Sequence, residues 1–209
     1  MSDLNTLRID GARLLQRLRD LGQCGALEGG GTNRLALSDA DQAARDWTVQ
    51  QMRDLGMEVQ IDAIGNVVAT YAGTEGDALP VMTGSHIDTV RTGGLYDGNY
   101  GVMAGLEVVA TLRDAGLRTR RPLQVAFFTN EEGARFQPDM LGSLVMVGGM
   151  PLEAALATQA VDNGARLGDE LQRIGYAGSA PVGAPKVHRF VELHIEQGPV
   201  LEQQGVDIG

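Results

Sequence analysis

The chain has 209 residues, and 17 basic against 27 acidic side chains leave a formal charge of −10, which argues against nucleic acid as a partner. Apolar residues make up 43% and charged residues 21%, the balance of a folded globular domain and not of a disordered chain. The only basic cluster, Arg118, Arg120 and Arg121, is short and reads as a solvated loop.

Cys24 is the sole cysteine, so an internal disulfide is excluded and a reducing, cytoplasmic compartment is expected. It sits in a glycine-rich stretch without a histidine nearby, a poor setting for a catalytic thiol. Charges at Asp3, Arg8, Asp10, Arg13 and Arg17 interrupt the region where a secretory signal would need an apolar centre. The longest apolar stretch, residues 140–150, is broken by Gly142, Ser143 and Gly148-Gly149 and falls short of the roughly 20 residues that span a bilayer. It predicts a buried helix, and no membrane partner is expected.

In chain order, Leu4, Leu7, Leu14, Leu18 and Leu21 recur at about helical spacing and predict an amphipathic helix ending at Gly22. A glycine-rich loop follows. Ser38 and Asp41 form a loose capping-box pattern at the start of a second helix, closed by Gly56. Three strand-like runs come next, at residues 57–61, 66–71 and 79–83, the first two joined by a turn at Gly65. Residues 101–115 have helical periodicity. Residues 122–129 (PLQVAFFT) are almost continuously apolar, as in a strand covered on both faces of a mostly parallel sheet. Short helices, a loop over 177–186, a strand over 187–193, a helix over 198–204 and the opening of another strand at 205–209 complete the reading. The expected fold is α/β, a mostly parallel mixed sheet flanked by helices.

Three of these strands run into residues that can hold a metal. Residues 79–83 lead into His86 and Asp88, residues 122–129 into Glu131 and Glu132, and residues 187–193 into His194 and Gln197. The carboxyl ends of parallel strands share one edge of an open sheet, so these segments are expected to converge there, with Asp97 reaching over from a glycine-flanked turn. Imidazoles and carboxylates together suit zinc, manganese or another first-row divalent ion. Adjacent glutamates on extended backbone point different ways, so one can hold metal while the other acts as general base on a metal-activated water. Asp88 is expected to accept a hydrogen bond from the His86 ring. His188, between Lys186 and Arg189 in its immediate neighbourhood, reads as an ordinary side chain.

GSHIDTVRTGGLYDGNYGV (residues 84–102), TNEEGARF (129–136) and VELHIEQGPVLE (191–202), together with GGGTNRLALSDAD (29–41), closely resemble the hydantoinase/carbamoylase-type amidases. That group, within the aminoacylase-like dinuclear zinc hydrolases, includes N-carbamoyl-L-amino acid hydrolases, beta-ureidopropionases and allantoate amidohydrolases. The resemblance implies two divalent ions, zinc or else manganese, cobalt or nickel. Asp97 would bridge them, His86 and His194 would hold one, and Glu132 the other. It also implies Glu131 as general base, Asp88 as the carboxylate orienting His86, and Gln197 as a contact to the amide or ureido end of the substrate.

The implied reaction is hydrolysis of a linear C–N bond, foremost the ureido group of an N-carbamoyl amino acid. Allantoate hydrolysis, an aminoacylase or dipeptidase activity, and a noncatalytic truncated fragment with a partial metal site are the rival readings. Members of the group continue past the position of Gly209 through a lid or dimerisation domain, then return with a further metal-binding histidine. Residues 1–209 are therefore expected to form the amino-terminal part of the catalytic domain, with the full-length enzyme a homodimer.

Overall fold

The computed structural model describes residues 6–183 and 186–209. Leu4 of the expected first helix and Pro185 of the expected loop lie outside the described residues. The first helix, α1 (Gly11–Gly22), starts later than periodicity suggests because Asp10 caps it, its side chain accepting from the Arg13 N–H at 3.0 Å. Leu14, Leu18 and Leu21 make its buried face, each burial contributing about 1.5–3 kcal/mol. Helix α2 (Asp39–Asp54) opens on the anticipated cap: the Ser38 hydroxyl accepts from the Asp41 N–H at 3.2 Å, while the Asp41 carboxylate reaches back to the Leu37 N–H at 2.7 Å.

Strands β1 (Glu58–Ile61) and β2 (Val67–Tyr71) form the antiparallel hairpin, with Ile61 opposite Val67. The next strand, β3 (Val81–His86), begins and ends later than expected. Gly84 and Ser85 resemble a turn in sequence, yet at Gly84 β3 lies hard against its neighbour: a Cβ there would strike the Ala126 backbone. His86 is thus the last residue of a strand, not part of a loop after it. Helix α3 (Asn99–Asp114) and strand β4 (Leu123–Phe128) follow, and Val125, Ala126 and Phe127 are fully buried.

Beyond β4 come four short helices, α4 (Leu141–Met146), α5 (Leu152–Leu156), α6 (Leu167–Arg173) and α7 (Val200–Gln204), with β5 (Arg189–Val191) between the last two. The single buried helix expected over 140–150 is only the six residues of α4: Gly148 turns the backbone at φ 77°, and Val147 is exposed. Residues 205–209 are not paired in the sheet, and Ile208 is 82% exposed. No helix among the described residues is long and apolar enough to cross a membrane.

The sheet order is β1-β2-β4-β3-β5. β4, β3 and β5 are mutually parallel, with His86 level with Phe128 and Thr83 level with Val191. β2 joins β4 antiparallel, so the sheet is mixed, its parallel part being the three strands that carry the predicted ligands. α3 packs on β3 and β4, and α1 packs on α3. A buried cluster including Leu18, Met52, Ile64, Leu106 and Phe127 ties these layers together.

Candidate metal centre

The parallel register brings the carboxyl ends of β3, β4 and β5 to one rim, and the predicted residues meet there. His86 Nε2 lies 3.7 Å and His194 Nε2 3.3 Å from the same oxygen of Asp97, Oδ1. The two imidazoles are 5.8 Å apart between ring centroids. One ligand atom from each of His86, Asp97 and His194 lies within 4.8 Å of the other two. Ligands bound tetrahedrally at about 2.0–2.1 Å stand about 3.4 Å apart, so this trio has the span of a divalent-ion site. His188 stays outside it.

Each ring is held from its other side. The His86 Nδ1 is 2.9 Å from the Asp88 carbonyl oxygen, and the His194 Nδ1 is 2.8 Å from the Ile195 carbonyl. With Nδ1 donating to a carbonyl, Nε2 is left as the acceptor that a cation requires. This corrects the expectation for Asp88: the main-chain oxygen, not the carboxylate, takes the ring hydrogen bond, and the nearer carboxylate oxygen is 3.9 Å away. The carboxylate instead accepts from the next loop, Oδ1 from the Glu131 N–H at 3.2 Å and Oδ2 from the Glu132 N–H at 3.3 Å. The chain turns after β3, so main chain and side chain of Asp88 face different neighbours. Buried Asp88 therefore fixes the backbone of both glutamates.

Asn130 sets that loop's direction. It adopts φ 54°, a conformation asparagine tolerates, and its buried amide donates to the Phe136 carbonyl at 3.0 Å while its oxygen accepts from the Phe136 N–H. Half-buried Glu131 brings Oε2 to 3.4 Å from His86 Nε2 and also borders an apolar cleft walled by Met82, Phe128, Met140, Met146 and Phe190. Gln197, exposed, donates from Nε2 to Asp97 Oδ2 at 2.8 Å.

Two buried oxygens at the rim, Asp97 Oδ1 and Glu132 Oε1, have no hydrogen-bond partner among the described residues. Buried acceptors are nearly always satisfied, so these two orphans fit cation ligands. The electrostatics agree. Burial pushes Glu132 up to about 7, with Asp97, Asp88 and Glu131 adding to the rise against His86. Burial likewise lifts Asp88 to about 6, opposed by His86. Burial works to lower His86, yet the charges of Asp88 and Glu131 carry it above the ordinary imidazole value. A group of carboxylates that raise one another's pKa is relieved by positive charge among them.

Arg34 was not singled out by sequence reasoning. Fully buried, it donates to the Ile87 carbonyl at 2.6 Å, the Cys24 carbonyl at 2.7 Å and Asn99 Oδ1 at 2.9 Å, bracing the β3–α3 connection that carries Asp97. Its available signal was a lone cation leading into the apolar run Leu35-Ala36-Leu37. Cys24 contributes its carbonyl here, and burial pushes its thiol above the ordinary value, away from nucleophilic use.

Residues 82–209 match the profile of peptidase family M20/M25/M40. An N-carbamoyl-L-amino-acid amidohydrolase of Rhizobium meliloti is 45% identical over 202 residues, which are 97% of this chain and 48% of that protein. A ureidoglycolate hydrolase of Arabidopsis thaliana is 33% identical, over 98% of this chain and 45% of its own length. Among solved structures, a hydantoinase/carbamoylase family amidase from Burkholderia ambifaria is 51% identical with a TM-score of 0.92, covering 95% of this chain and 49% of that one. The chain thus spans about half the length of the curated relatives it matches.

Proposed function

The chain belongs to peptidase family M20/M25/M40, and from that membership we propose that it supplies the amino-terminal part of the catalytic domain of an amidohydrolase that cleaves the ureido C–N bond of an N-carbamoyl amino acid. The observation that carries the reading is the convergence of His86, Asp97 and His194 within ligand distance, beside Glu131. Relatives named for carbamoyl amino acids reach 45% identity against 33% and 36% for two ureidoglycolate hydrolases, which favours the former substrate class.

In this reading two divalent ions, zinc first among them, would be held at the rim, one by His86 and His194 and the other by Glu132, with Asp97 available to both. When bound, such ions lower the pKa of water and polarise the substrate carbonyl. The remaining work falls to side chains. Glu131 takes the proton of the attacking water and delivers it to the departing nitrogen, leaving a carbamate that breaks down to carbon dioxide and amine. Asp88 keeps Glu131 in reach of the reacting carbon by holding its backbone. Gln197 contacts the ureido end, and the apolar cleft at Glu131 supports a substrate with an apolar portion. The family resemblance supports a homodimer for the full-length enzyme, and the single cysteine supports a cytoplasmic setting.

The test is ammonia release from N-carbamoyl-L-amino acids and from allantoate, on the full-length enzyme. Glu131→Gln is expected to reduce turnover by about a thousandfold while leaving bound metal unchanged. Full activity in that variant refutes the general-base role, and turnover of allantoate alone refutes the substrate class. Binding without turnover in the unaltered enzyme supports the noncatalytic reading instead.

A further inference from the structure

We infer that Gln197 is a removable brace on Asp97, holding the carboxylate in position for one cation and having to let go before the carboxylate can serve two. The inference rests on the metal-centre reading above and concerns how that centre fills.

The two oxygens of Asp97 live in different surroundings. Oδ1 is buried, lacks a hydrogen-bond partner among the described residues and faces both imidazoles at 3.3 and 3.7 Å. Oδ2 is already taken by the Gln197 amide at 2.8 Å. A cation among the three ligand atoms can use Oδ1 without disturbing that bond. A second cation on the far oxygen meets an N–H hydrogen carrying partial positive charge where a ligand lone pair should be. A carboxylate that serves two cations presents one oxygen to each, so with Oδ1 facing the imidazoles the second falls to Oδ2, and Glu132 Oε1 offers a further buried oxygen without a partner among the described residues.

The geometry of the segment suits a release. Gln197 holds φ 57°, a left-handed conformation a glutamine seldom adopts, and its side chain is exposed with water as an alternative partner. Its neighbour Glu196 is anchored separately, its carboxylate accepting from the Val200 N–H at 3.1 Å and the Leu201 N–H at 2.9 Å at the start of α7. The Gln197 side chain can therefore leave Asp97 without unpinning the backbone.

The experiment titrates the purified 209-residue chain with Co2+, following visible absorption and heat to count sites and read each affinity. Wild type is expected to take one ion tightly and a second weakly. Gln197→Ala is expected to leave the first affinity within about threefold and to strengthen the second by about tenfold, the effect of removing one competing hydrogen bond to a charged group. Gln197→Asn, too short to reach Oδ2, is expected to behave the same way, and far-UV circular dichroism confirms that both variants fold. A second affinity that is unchanged or weaker in both variants overturns the brace and leaves the metal-centre reading standing. Failure of the wild-type chain to bind Co2+ any better than Asp97→Asn overturns both.

Discussion

Gly98 shows how closely single residues set the rim. It stands at the N-cap of α3 with φ 64°, and the space a Cβ would need is filled by the His86 ring. Gly98→Ala is expected to cost about 1–3 kcal/mol of stability from the backbone alone and to displace the imidazole, weakening cation binding by at least about tenfold. Chemical denaturation and a zinc titration would read the two effects separately. At this scale the residues that meet at the rim were legible because His86, Glu131, Glu132 and His194 each come after an apolar strand-like run, and Asp97 stands in a glycine-flanked turn before a helix. The Asp88 hydrogen bonds were not, since a sequence does not say which way a carbonyl and its own side chain diverge at a strand end. Arg34 escaped notice for a related reason: a buried arginine looks like any surface arginine until its carbonyl partners, separated from it along the chain, are in place.

Helices α1 and α3 are joined by a buried charge cluster. The Glu107 carboxylate accepts from Arg13 at 2.7 and 2.8 Å, from Arg17 at 2.8 Å and from the Asp10 N–H at 3.0 Å, with its side chain 1% exposed. Burial on its own would raise the pKa of Glu107, but the Arg13 bonds and the Asp10 N–H bring it below the ordinary value. The folded state thus binds this proton less readily than the unfolded chain. Its stabilising effect is complete above the unfolded pKa of about 4.3 and is lost as pH falls through the lower folded value. Glu107→Gln, which leaves Arg17 without its carboxylate and Arg13 with Asp114 alone, is expected to cost about 3 kcal/mol at pH 7, and the gap between wild type and variant should narrow below about pH 4 in urea melts. Helix and strand identities were legible from period and caps. The exact ends were not: β3 runs on through a glycine and a serine because the facing backbone of β4 comes close, a fact of pairing and not of local sequence.

Across the whole molecule, candidate ligands from three strand ends and the β3–α3 connection meet at one rim, so a cation taken up there would bind only the folded chain. Zinc at about a hundred times its dissociation constant should stabilise the fold by about 2.7 kcal/mol, a rise in melting temperature of about 5–10 °C for a chain of this size. A chelator should reverse the rise, and His194→Ala should abolish it. No rise in wild type would mean the trio does not take the ion. The overall α/β plan was legible because apolar strands alternate with capped helices. The antiparallel entry of β2 beside β4 was not, since a hairpin strand and a central strand carry the same apolar signature.

The two imidazoles hang from unequal supports. His86 closes a six-residue strand flanked on both sides, whereas His194 follows a three-residue strand at the margin whose Phe190 and Val191 are exposed. Any tug on that margin reaches the candidate cation trio through His194 first, so the firmness of the border strand sets how tightly the three ligand atoms are held together.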